Sequence, residues 1–179
     1  MSFAFCITLS MIFFALDQLS KFWVINSLKP VGSINIISGL LSFTYVENTG
    51  AAFGIFQGQR GLLIAIVLLI VCAALWALYT NKFSNPLERL SISMIISGGL
   101  GNLLDRVRYG FVVDFIDINQ LFEYPMFNVA DCFVVVGAIL MVAAVMFEDS
   151  LNKKLLKQEM EQLKTEQGND NADSDNGNS

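Results

Sequence analysis

Asp114 and Asp131 are the residues best placed to do chemistry in this sequence, together with Asp17, Lys21, Asn48, Asn102, Arg106 and Asn128. Both carboxylates sit in apolar surroundings, VVDFI and NVADCF. Burial among such neighbours disfavours ionisation of an acid such as Asp114. Brought together, the two could not both ionise easily. At an effective dielectric of 20 and 4 Å their repulsion is about 4 kcal/mol, so one proton would be shared. That state supplies a base to activate water and an acid to protonate a leaving amine. Other machinery is largely excluded. The sequence has no histidine, which removes imidazole zinc sites, Ser-His-Asp and Cys-His arrangements. Cys6, Cys72 and Cys132 stand singly in apolar runs, so neither a CxxC metal pair nor a disulfide framework is available. No metal and no cofactor is expected.

The elements that must position these groups are set by composition. Of 179 residues, 54% are hydrophobic and only 15% charged, well below the ~25% charge of soluble domains. Mean hydropathy is +0.57. The net charge is −5 and no basic face for nucleic acid is present. We therefore expect an α-helical integral membrane protein. Spans are predicted over about 3–25, 61–79, 86–106 and 127–147, within a single domain covering 1–150. The second, GLLIAIVLLIVCAALWALY, is long enough at 1.5 Å per residue to cross the hydrocarbon. The third is rich in Ser and Gly, which suits close helix contact inside a bundle. Lys and Arg are modestly enriched on the side of the termini, which favours cytoplasmic termini. The first span lacks the basic n-region and A-x-A site of a cleaved signal peptide, so it is expected to be retained.

Two segments then face outward. In 31–58 the alternation of LSFTYVEN and the turn chemistry of Asn48-Thr49-Gly50 predict a small β segment. Residues 107–126 are amphipathic and aromatic and are expected to lie along the membrane interface. Residues 151–179 form a cytoplasmic tail, disordered after about 168, where Asn, Asp, Gly and Ser dominate.

With this topology every one of the polar groups lies in the outer leaflet or at its surface. An Asp or Lys at a helix centre costs ~2.5–3.5 kcal/mol on insertion scales, so each needs a reason. Asp17 and Lys21 share a helix face with the acid N-terminal, as an ion pair prefers. Asn102 with Arg106, and Asn128 with Asp131, share faces at outer helix ends. The bland alternatives are a snorkelling lysine neutralised by its partner, an interface anchor at Arg106, and asparagines that bond helix to helix. A Ser-Lys peptidase using Ser20 or Ser97 with Lys21 is poor, because Ser20 points away from its neighbour. A small transporter with Asp17, Lys21 and Asp131 along an ion path would need polar groups reaching the cytoplasmic side, and the second span is wholly apolar.

Four stretches, in order and with fitting spacings, give the chain a further likeness: DQLSK (Asp17 to Lys21), ENTGAAFGIF (Glu47 to Phe56), GGLGNLLDRVRYGFVVDFID (Gly98 to Asp117) and FNVAD (Phe127 to Asp131). With these the chain resembles signal peptidase II, the bacterial lipoprotein signal peptidase. The resemblance implies four transmembrane helices with a small extracytoplasmic β-cradle at 31–58 and an interfacial helix at 107–126. It implies an aspartyl endopeptidase that cuts prolipoproteins just before the diacylglyceryl-modified cysteine, with Asp114 and Asp131 as the catalytic dyad. Asn48, Gly98, Asn102, Arg106, Asn128 and Ala130 match positions that line or support the substrate site, and Asp17 and Lys21 match a structural polar pair. The partners implied are lipid-modified prolipoprotein signal peptides and membrane phospholipid. The implied setting is the bacterial cytoplasmic (inner) membrane, with a monomer whose active site lies near the outer leaflet.

Overall fold

The computed structural model describes every residue except 52–54, 84, 119–123 and 177–179, and the backbone alone at 159 and 161–176. The chain divides into two units, Met1–Met141 and Val142–Ser179. The first begins with α1, Phe3–Trp23, whose N-terminus is capped by Ser2 accepting from the Phe5 N–H at 3.2 Å. A π-helical turn, Val24–Leu28, extends it. Val24 and Leu28 are fully buried and pack with Val113 and Phe115, which ties the end of the first helix to the sheet.

That sheet has three antiparallel strands in the order β1-β2-β3: β1 Ser33–Ile37, β2 Leu41–Asn48 and β3 Val112–Asp117. The first two form the hairpin expected within 31–58, turning at Gly39 with φ +75°, a conformation that glycine adopts without steric cost. The stretch 52–54 of that expectation lies outside the described residues.

The third strand corrects the reading of 107–126 as an interfacial helix. Residues up to Tyr109 belong to the preceding helix, which stops at Gly110 with φ +89°. Val112–Asp117 then pairs with β2, and residues 124–126 have no regular structure, with 119–123 outside the description. The physical reason joins local propensity to a distant partner. VVDFID is rich in β-branched and aromatic residues, and β2 offers it a hydrogen-bonding edge that an interfacial helix would leave open.

Four long α-helices are present among the described residues. The other three are α2 Arg60–Tyr79, α3 Pro86–Tyr109 and α4 Val129–Asn176. Among the described residues, three helical segments are long and apolar enough to cross a membrane: Phe3–Leu28, Arg60–Tyr79 and Val129–Gln158, with mean hydropathies of 1.7, 3.0 and 2.5. Their outer faces carry side chains such as Leu19 and Leu69, 64% and 72% exposed, which suits an apolar solvent.

α3 does not meet that measure, because it is the inner helix. α1 and α2 both pack on it, and thirteen of its residues are buried, among them Ser91, Ser93, Ser97, Gly98, Gly101, Asp105 and Arg106. The buried serine hydroxyls donate back to helix carbonyls, Ser91 to Leu87, Ser93 to Arg89 and Ser97 to Met94, each at 2.7 Å. The seam is therefore small without leaving donors unpaired. Asn85 starts α3 with a capping box to Glu88, worth ~1 kcal/mol.

The second unit is the continuation of α4, with an exposed Lys153–Asp149 pair at 2.7 Å. The helix runs to Asn176, past 168, where composition alone predicts disorder. Propagating a helix already formed through the Lys-, Glu- and Gln-rich residues before 168 requires no new nucleus.

Candidate active site

Asp114 sits on β3 opposite Val46, two residues beyond the Val112–Asn48 pair. Asn48 at the end of β2 is thus its diagonal neighbour on the same face, and Asn48 Nδ2 donates to Asp114 Oδ2 at 2.8 Å. Asp131 reaches the same place from the first turn of α4. Asn128 caps that helix in a reciprocal box: its backbone N–H donates to Asp131 Oδ2 at 3.1 Å, and the Asp131 N–H donates to Asn128 Oδ1 at 3.0 Å. Asn128 Nδ2 also donates to Asp114 Oδ1 at 2.6 Å, so one fully buried asparagine touches both acids.

Asn102 on α3 completes the frame. Its Nδ2 donates to Asp131 Oδ1 at 2.7 Å, while its Oδ1 accepts from Asn128 Nδ2 at 3.1 Å and from Lys21 Nζ at 2.9 Å. An amide whose oxygen already faces two donors must turn its nitrogen to the acid. One turn further, Arg106 donates to the Gly50 carbonyl at 2.8 Å and to the Asn102 carbonyl at 3.4 Å. It thereby joins the loop after β2 to α3. Its buried Nε has no partner among the described residues.

Asn48, Asn102, Arg106, Asp114 and Asp131 all line one cavity of about 240 Å³. A second, more apolar cavity of about 210 Å³ opens between α2, α3 and α4 at Gly98 and Gly99 and reaches Asn102, Arg106 and Asp131. Gly98 is needed for this approach, since a Cβ there would collide with the Ala130 carbonyl and lie 2.6 Å from Val134 Cγ2. Burial pushes the Asp114 carboxyl up to about 6, and the charge of Asp131 pushes the same way, against the two asparagine donors.

Asp17 and Lys21 face each other at 3.1 Å, but the lysine does not snorkel. It is 2% exposed and is also paired with Asp105 at 3.0 Å. Two inward carboxylates and an amide oxygen outbid the interface for the ammonium, and deleting one member of such a buried set typically costs ~3–5 kcal/mol. The Ala130 N–H donates to Asp17 Oδ1 at 2.9 Å. Asp105 escaped the sequence reading, although an acid three residues after Asn102 on a helix that must be buried was a signal of the same kind as the others. Ser20 donates to the Asp17 carbonyl at 2.6 Å and Ser97 to that of Met94, so neither hydroxyl is presented to Lys21. No group of His, Cys, Asp and Glu among the described residues is arranged to hold a metal ion.

Fold and site together define a helical, membrane-type protein with a three-stranded sheet and a polar centre of two aspartates and three asparagines. The sequence profile of the family described as Signal peptidase (SPase) II matches residues 9–147. The lipoprotein signal peptidase of Clostridioides difficile is 49% identical over 138 residues, 77% of this chain and 92% of that protein. That of Clostridium acetobutylicum is 43% identical over 135 residues, 74% and 88% of the respective chains. A bacterial membrane enzyme solved by the in meso method at 2.3 Å superposes with a TM-score of 0.77 at 32% identity, covering 84% of this chain and 92% of that one. The chain belongs to the signal peptidase II family and is a protease.

Proposed function

We propose that this chain is an aspartyl endopeptidase that removes signal peptides from prolipoproteins by hydrolysing the bond before the diacylglyceryl-modified cysteine. The observation that carries this reading is the pair Asp114 and Asp131, on two different elements, lining one cavity and sharing the contacts of Asn128. A water between the carboxylates loses its proton to the ionised member and attacks the scissile carbonyl. The protonated member bonds the developing oxyanion and then delivers its proton to the departing nitrogen. The two titrate as a unit, so the proton belongs to the pair. Asn48, Asn102 and Asn128 hold the acids, and Arg106, Gly98 and Ala130 shape the cleft for an extended peptide.

In this reading all four helices span the inner membrane with cytoplasmic termini. The centre faces the outer leaflet, where acyl chains stay in lipid while the cleavage point reaches a wetter cleft. The enzyme works as a monomer among phospholipids, without metal or cofactor. Asp114→Asn and Asp131→Asn are each expected to fold, insert and lose cleavage of a diacylglyceryl-cysteine precursor by at least ~10³-fold. Cleavage retained by either folded variant defeats the dyad. An unmodified cysteine precursor, assayed beside it in micelles, is expected to be cut far more slowly by the wild-type protein.

A further inference from the structure

The backbone N–H that precedes each aspartate is held by another buried carboxylate. Ala130, just before Asp131, donates to Asp17 Oδ1 at 2.9 Å. Val113, just before Asp114, donates to Asp105 Oδ2 at 3.1 Å. Asp17 and Asp105 come from different helices, yet both are paired with the Lys21 ammonium, at 3.1 and 3.0 Å. The third contact of that ammonium is Asn102 Oδ1 at 2.9 Å, which leaves Asn102 Nδ2 to donate to Asp131. Gln18 Nε2 donates to Asp17 Oδ2 at 3.0 Å and lies 3.4 Å from Asp105 Oδ1, closing the cluster on its other side. Asp17, Lys21 and Asp105 are at most 2% exposed, so none of these contacts competes with water.

Resting on the reading of Asp114 and Asp131 given above, we propose that Asp17, Lys21 and Asp105 are a positioning triad for the two catalytic aspartates. One lysine neutralises two carboxylates, each of which clamps the peptide N–H adjoining one member of the dyad, and the same lysine orients the amide that holds Asp131. None of the three touches substrate. They fix the relative placement of β3 and the start of α4, where displacements of about 1 Å cost ~10²-fold in rate. Such a triad acts on the chemical step and leaves substrate affinity alone. It also acts on protonation. Asp114 faces Asp131 from α4, Lys21 from α1 and Arg106 from α3, and of these Asp131 pushes its pKa up while Lys21 pulls it down.

The test is steady-state cleavage of a diacylglyceryl-cysteine lipopeptide in detergent micelles, with thermal unfolding measured on the same samples. Lys21→Met is expected to lose kcat by ~10²-fold with KM within about threefold. Its bell-shaped kcat/KM profile is expected to move to higher pH by roughly half a unit. A role confined to stability would lower the unfolding temperature while leaving kcat per folded enzyme and the pH profile in place, and that result overturns the triad. The charge-neutral Asp17→Asn/Lys21→Met/Asp105→Asn protein and the single Asp105→Asn guard against a variant that does not fold. In whichever of these folds, a kcat loss at unchanged KM supports the proposal and wild-type kcat overturns it. Asp114→Asn is run in parallel. If that variant cleaves, the reading of the dyad has failed, a result distinct from any behaviour of Lys21.

Discussion

Asp114 binds its proton up to about pH 6 in the folded protein, against ~3.9 in an unfolded chain. The folded state therefore holds this proton more tightly, and the stability that follows is fully present below about pH 4 and is lost as pH rises through 6. The difference of about two units corresponds to ~3 kcal/mol. Thermal unfolding in detergent should show the wild-type protein losing stability between about pH 4 and 6.5, and Asp114→Asn should flatten that part of the curve. An unaltered slope in the variant would assign the titration to another group. Much of the centre was legible at this scale. Asp114 and Asp131 stood out because apolar flanks make an acid expensive, and Asn102, Arg106 and Asn128 because helical spacing placed them at outer helix ends. Asp105 carried the same signal of an acid on a buried helix; what no spacing along one helix reveals is its partner, a backbone N–H on β3. Lys21 was read as the partner of Asp17 alone, because sequence shows one of its carboxylates and not the other.

Among the elements, the apolar helices and the β1–β2 hairpin followed from length, hydropathy and alternation. β3 did not, because VVDFID becomes a strand only when a distant edge is offered to it, and that edge is built from residues more than sixty positions earlier. The meeting of α3 and α4 is tighter than pattern alone conveys. Gly98→Val would drive side-chain atoms into the Ala130 carbonyl and Val134. It should cost about 1–3 kcal/mol of stability and also lower kcat, since Ala130 adjoins Asp131. Gly99→Ala, whose Cβ would lie 3.1 Å from the movable Val71 Cγ2, should cost less. Unfolding temperatures of the two variants side by side check this, and equal losses would mean that the close approach at Gly98 carries no special weight.

At the level of the whole molecule, every residue of the centre lies in the unit Met1–Met141, and the family match ends at residue 147. A chain shortened after residue 158, the end of the last apolar segment, should keep kcat/KM within about twofold of the full chain. A larger loss would give the tail a task in catalysis. A different consequence comes from the buried, serine- and glycine-lined α3. Lipid alone is a poor solvent for a helix carrying Glu88, Arg89, Asp105 and Arg106, so on the four-span reading proposed above its passage into the membrane has to be shared with its neighbours. Offered singly to an insertion machinery, α3 should be rejected, while the α2–α3 hairpin should be accepted, which glycosylation mapping of the two fusions can read. Biogenesis of this protease would then be a matter of escort, in which a helix too polar to enter alone goes in sheltered by the apolar α2 beside it.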